Sequence, residues 1–244
     1  MTKPYNGGKP TFHEFLTPIG LFVHLYHDKP QLKTSDQHGK VPDIDKETGV
    51  QRAEFKVTMA WPKTMIQGEL GTMAALAHQV KAEAWPESQP TPQNPTPFFA
   101  LEPFFRDGDN PAHNTKAREY LFGKYYLNFK QKAEIVPLNP NAPVGPNNYK
   151  YVGAPGLIGP YNNDIMALDV YPGCTGRVSG IIFGTEYMGK HFISTRLNNV
   201  QLYETPQDNP NLQRIGGGAR PDAKSQFDTL KQGNAGGNPL AGLL

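Results

Sequence analysis

The chain has 244 residues, 37% of them hydrophobic, a formal net charge of +2 and a single cysteine, Cys174. These figures suit one decorated domain. They exclude an intramolecular disulfide and a multi-cysteine zinc site, and they leave any nucleic-acid contact to local basic patches rather than to the field of the whole molecule.

Met1 to Pro10 is polar and carries no apolar run, so no signal peptide is expected, and no stretch of the chain reads as membrane-spanning. Residues 1–14 read as an N-terminal arm. Thr17 to Tyr26 alternates as a strand, with Ile19, Leu21, Val23 and Leu25 on a core face and Phe22, His24 and Tyr26 on the other. Asp28 to Val50 is polar and rich in turn residues, which predicts a long loop. Arg52 to Trp61 reads as a second strand, placing Phe55, Val57, Met59 and Trp61 inward and Glu54, Lys56 and Thr58 outward.

From Lys63 to Ala84, alanine, leucine and methionine replace the β-branched residues. Leu70, Met73, Ala74, Ala77 and Ala84 then share one side of a helix that Pro86 ends. Pro86 to Pro97 reads as an extended connector. Tyr120 to Val136 resumes a strand, with Tyr125, Leu127 and Phe129 on one face and Tyr126, Asn128, Lys130 and Lys132 on the other. Asn139 to Pro160 reads as another long loop.

Arg177 to Tyr203 reads as a β-hairpin turning at Met188-Gly189-Lys190, where glycine supplies the positive φ of a short loop. Past Leu197 the apolar parity changes, which predicts a bulge at Asn198-Asn199. Gly176, Gly180 and Gly184 in the first arm predict sharp coiling or close approach of another backbone. Gly and Pro together make 49 residues, in keeping with many turns and few long helices.

Several chemistries fail on spacing. Asp43-Ile44-Asp45-Lys46-Glu47 opens like a calcium loop, but Thr48 stands where the glycine belongs and no bidentate glutamate follows in register. His24 and His27 lie three apart, on opposite faces of a strand, and read as surface residues. No Gly-x-x-x-x-Gly-Lys-Ser/Thr cradle and no Gly-x-Ser-x-Gly elbow occurs. Asp107 and Asp109, in Arg106-Asp107-Gly108-Asp109, read as a turn. No carboxylate cluster has convincing spacing for catalysis, so no enzymatic activity, cofactor or metal is expected.

Five strands, one helix between the second and third, and long loops fit a mainly β chain: a five-stranded antiparallel barrel of the OB type. On those strands rings and cations are interleaved. Phe22, Tyr26, Tyr126 and Phe192 could stack on bases, while Lys56, Lys130, Lys132, Arg177 and Arg196 could track phosphates, a combination that binds single strands without reading sequence.

The motifs Thr17-Pro18-Ile19-Gly20, Phe55 through Lys63, Arg106-Asp107-Gly108-Asp109, Tyr171-Pro172-Gly173-Cys174 and Leu197-Asn198-Asn199-Val200-Gln201 resemble a family of phage single-stranded DNA-binding proteins. The likeness runs from about Phe15 to Leu230. It implies an OB-fold core, sequence-independent binding of single-stranded DNA, a role in phage DNA replication or recombination, and residence in the cytoplasm of the infected host. A structural or assembly protein of a phage particle is the competing expectation, since Gly/Pro-rich loops and near-neutral charge would suit it too.

The binding domain is expected over residues 15–205 and a flexible tail over residues 206–244. The tail carries Arg214, Arg220, Lys224 and Lys231 against Asp208, Asp222 and Asp228, so it is not expected to mimic DNA. Its Leu240, Leu243 and Leu244 are candidates to dock on replication or recombination proteins.

Overall fold

Strand-forming sequence dominates the computed structural model, which describes residues 12–35, 41–88, 91–93, 104–187 and 190–215. In chain order the elements are β1 (Phe12–Leu16), β2 (Gly20–Leu32), β3 (Ala53–Pro62), helix α1 (Glu69–Ala84), β4 (Arg106–Asp107), β5 (Lys124–Lys132), β6 (Glu134–Val136), β7 (Lys150–Val152), β8 (Gly156–Ile158), β9 (Thr175–Tyr187) and β10 (Lys190–Glu204). Neighbours pair in the order β1-β9-β2-β3-β5-β10-β8, and β9 also pairs with β10. That extra pairing makes a closed ring of five strands, β2-β3-β5-β10-β9. Every pairing around the ring is antiparallel except β5 with β10, which run parallel through Lys130 and Arg196. The chain is therefore mainly β with an OB-like barrel, as expected from its five strand signals, and the helix lies between the second and third barrel strands.

Alternation built this barrel. Val57, Met59 and Trp61 of β3 meet Leu127 and Phe129 of β5 inside, together with Val178 and Ile182 of β9 and Leu197 and Val200 of β10. Helix α1 buries Leu70, Met73, Ala77, Val80 and Ala84 and lies against β9, where Gly184 lets it approach: a Cβ there would come within 2.7 Å of the Ala84 Cβ. The expected bulge appears as a register shift between Leu197 and Asn199. The hairpin turn, by contrast, includes Met188 and Gly189, which lie outside the described residues, as does half of the connector 86–97.

Four expectations need correction. Phe12 to Leu16 is a strand paired with β9 from Phe12↔Phe183 to Leu16↔Ser179, so the sheet takes in Phe12 to Glu14 of the expected arm. Strand β2 runs on to Leu32, beyond the expected end at Tyr26, because after a register shift Gln31 and Leu32 pair with Glu54 and Ala53. Two three-residue strands, β7 and β8, lie in the expected loop 139–160; elements that short leave no readable period. At the other end, residues 206–214 of the expected tail belong with the domain. The Tyr171 hydroxyl donates to Gln207 at 2.5 Å, and the Arg214 guanidinium stands 4.7 Å from the Tyr171 ring centre.

Candidate nucleic-acid interface

Strands β2, β3 and β5 present their outward residues as a grid whose rows follow from register. One row is His24, Thr58 and Asn128; the next is Tyr26, Lys56 and Lys130, which the parallel pairing extends to Arg196; below it Gln31, Glu54 and Lys132 align. Four of the expected site residues thus stand side by side on four strands, an arrangement that requires the barrel to close. Tyr26 is 41% exposed and Lys130 and Arg196 are exposed. Glu54 pairs with Lys130 at 2.9 Å.

The segment 104–122 folds over the upper part of this face. Arg106 and Asp107 pair with Tyr126 and Tyr125, and Gly108 is needed because a Cβ there would collide with the Leu121 carbonyl. Asn114, buried, donates to the carbonyls of Gly108 and Arg118 and accepts from the Arg118 amide, which holds the segment in shape. Asp107 and Asp109 are both engaged by one lysine. They grip Lys63 at 2.6 and 2.7 Å, so the Arg-Asp-Gly-Asp turn is tied to the residue just past β3.

That tie should be pH-dependent. Lys63 lowers the carboxyl pKa values of both Asp107 and Asp109 through direct hydrogen bonds. With folded values below unfolded ones, the contribution to stability is present above the ordinary aspartate value of about 4 and is lost as pH falls through the folded values. The amide of Gly123, which donates to Asp109 at 2.9 Å, should lose hydrogen-exchange protection in that acid window. In Lys63→Met the protection should be low already at neutral pH and no longer follow the titration; unchanged protection in the variant would show that the tie does not hold the segment.

The folded segment brings cations that have no strand periodicity to betray them. Arg106 and Arg118 lie near enough to Lys56, and Arg118 and Lys116 near enough to His24, to act on their charge. Burial lowers the Lys56 pKa first and Lys130 next, with Arg106 and Arg118 adding and Glu54 opposing. Burial likewise lowers the His24 pKa, helped by Arg118, Lys56 and Lys116. The His24 ring meets Tyr120, whose hydroxyl is 3.2 Å from Nε2, so His24 is packed rather than a surface residue. His24 is half-buried, whereas His27 is buried and bonded to the Ala167 carbonyl at 2.9 Å.

Two expected stacking residues are inside the protein. Phe22 has no exposed surface. A register shift between Phe22 and His24 inserts Val23 as an extra residue, so Phe22 points the opposite way from His24 and Tyr26 and fills the core above Gly176. Tyr126 does face outward in parity with Lys130, but the 104–122 segment covers it to 5% exposure and its hydroxyl donates to the His113 carbonyl.

The remaining residues divide between clefts. Phe192 and Lys130 line one of about 530 Å³ with Phe104, Arg106, His113 and Ser194. Lys132 and Arg196 line another of about 560 Å³, together with Asp45, Glu47 and Glu134. Arg177 is not gathered with them. It stands at the other end of the β9/β10 ladder from Phe192, donating to Gln201 at 2.6 Å beside Ile19 and Tyr203.

Neither a protein-family model nor a curated protein sequence matches the chain. Solved structures do. The single-stranded DNA-binding protein from bacteriophage Enc34, in complex with ssDNA, superposes with a TM-score of 0.50 at 12% identity over 78% of this chain and 86% of that one. A second structure of that protein gives 0.50 at 12% identity over 88% and 90%. The fold is similar to that of a phage single-stranded DNA-binding protein. The likeness to such proteins drawn from the motifs therefore holds at the level of fold. The T7 single-stranded DNA-binding protein gp2.5 is a weaker match, with a TM-score of 0.43 at 16% identity over 79% of this chain and 92% of that one.

Proposed function

We propose that the chain binds single-stranded DNA without sequence choice on the outer face of β2, β3, β5 and β10. The observation that carries this reading is the cross-strand row Tyr26-Lys56-Lys130-Arg196. Strand spacing sets its members about 5 Å apart, so a phosphate backbone crossing the strands meets one cation after another while Tyr26 offers a ring to a base. Arg106, Lys116 and Arg118 add charge from the covering segment, and the cleft between Phe192 and Lys130 is open to an unstacked base. The Enc34 protein, similar in fold, is described in complex with ssDNA, which supports placing the same ligand here. A duplex presents no unstacked base to Tyr26 or Phe192 and is expected to bind much more weakly.

With this reading goes a role in phage DNA replication or recombination, exercised in the host cytoplasm. The leucines of the tail, outside the described residues, are the proposed contact to replication or recombination proteins.

Titrating labelled oligo-dT at several salt concentrations tests the binding. Each phosphate contact should contribute about −0.7 to the slope of log affinity against log salt, so three to six contacts should give roughly −2 to −4. Affinity that does not change between about 50 and 200 mM salt would remove the phosphate track from the proposal.

A further inference from the structure

An acid sits in the middle of the basic face. Glu54 points outward from β3 in parity with Lys56 and is aligned with Lys132 across the ladder, and its Oε1 lies 2.9 Å from the Lys130 Nζ. Its side chain is 16% exposed where that of Lys130 is 49% exposed. The carboxylate is thus sunk between the strands while the ammonium it holds remains open to solvent.

We infer that Glu54 is an internal competitor for the DNA phosphate at Lys130, an acid that moderates the affinity of the face and promotes release of the strand. The inference rests on the binding reading above. An ammonium has three donors, so Lys130 can keep Glu54 on one and offer another to a phosphate. The two anions would then share one cation at short range, in a recess where water screens them less than on an open surface. Binding at Lys130 therefore either displaces Glu54 or proceeds against its charge, and both lower affinity. In the free protein the same carboxylate acts at Lys56 against the charges of Lys130, Arg106 and Arg118. The acid that steadies the empty site is the one that opposes the filled site.

Glu54→Gln tests this with little change of shape. Oligo-dT should bind roughly three- to tenfold more tightly at low salt, with a salt slope equal to that of wild type or somewhat steeper, since the phosphate contact at Lys130 is made in both but opposed by Glu54 in wild type. Glu54→Asp, which keeps the charge, should bind close to wild type. Glu87→Gln removes the same charge from the exposed turn after α1 and should leave affinity within about twofold. In a Lys130→Gln background the gain from Glu54→Gln should vanish, since the competition runs through that lysine. Melting curves report whether each variant is folded. Wild type that binds, together with a folded Glu54→Gln that binds equally or more weakly, would overturn the inference, and so would a gain that survives in the Lys130→Gln background. If neither wild type nor variant binds oligo-dT, the binding reading itself falls, and this inference with it.

Discussion

Phe22→Ala should lower the stability of the fold by about 3–5 kcal/mol and leave the affinity of the folded fraction for single-stranded DNA unchanged. The ring is fully buried in the main core, and a Cβ at Gly176 would collide with the Gln201 carbonyl oxygen and come within 2.5 Å of the ring edge, so the glycine makes room for both. Alanine at 22 removes that ring and leaves a cavity between β2 and β9 that these strands, tied at Gly20↔Gly176 and Leu21↔Thr175, cannot close. For a domain of this size the loss corresponds to a fall in Tm on the order of 10 °C. Thermal melting and oligonucleotide titration of the same sample separate stability from binding. A variant that melts like wild type but binds several-fold more weakly would place Phe22 in the interface after all.

The second large effect is expected at the centre of the row. Lys130→Glu changes the local charge by two units between Lys56 and Arg196 and sets a second carboxylate beside Glu54. Affinity for oligo-dT should fall tenfold or more, and the salt slope should flatten by about 0.7 or more as at least one phosphate contact is lost. Stability should change by no more than about 1–2 kcal/mol, because a side chain at 130, half in solvent, can turn away from the recessed Glu54. Lys150→Glu, at an exposed position in the separate β6/β7 pair, controls for net charge and should cost little. Equal losses at Lys130 and Lys150 would mean that the protein attracts DNA by its overall field and has no organised track.

Much of the fold was legible in the sequence, because strand and helix periods are properties of the local backbone. The parity of Phe55, Val57, Met59 and Trp61 was enough to orient β3, and the break in parity past Leu197 located a bulge that the register confirms between Leu197 and Asn199. Proline at 86 and the alanine-rich run before it marked α1. The outward placement of Lys56, Lys130 and Lys132 was legible for the same reason, since each shares a strand with apolar residues of opposite parity.

Tertiary structure alone decided which of those outward residues meet. Nothing local in β10 says that it closes the ring in parallel on β5, yet that pairing is what sets Arg196 beside Lys130 and leaves Arg177 at the far end of the ladder. A single bulged residue, Val23, reversed Phe22 from surface to core. Tyr126 kept its outward parity and was buried all the same, by a segment whose own strand is two residues long. That segment delivered Arg106, Lys116 and Arg118 to the face from a stretch with no period to read, held there by Lys63 between Asp107 and Asp109. Periodicity reports the direction in which a side chain leaves its own backbone; what then covers it, pairs with it or stands across from it is set by contacts between residues distant in sequence.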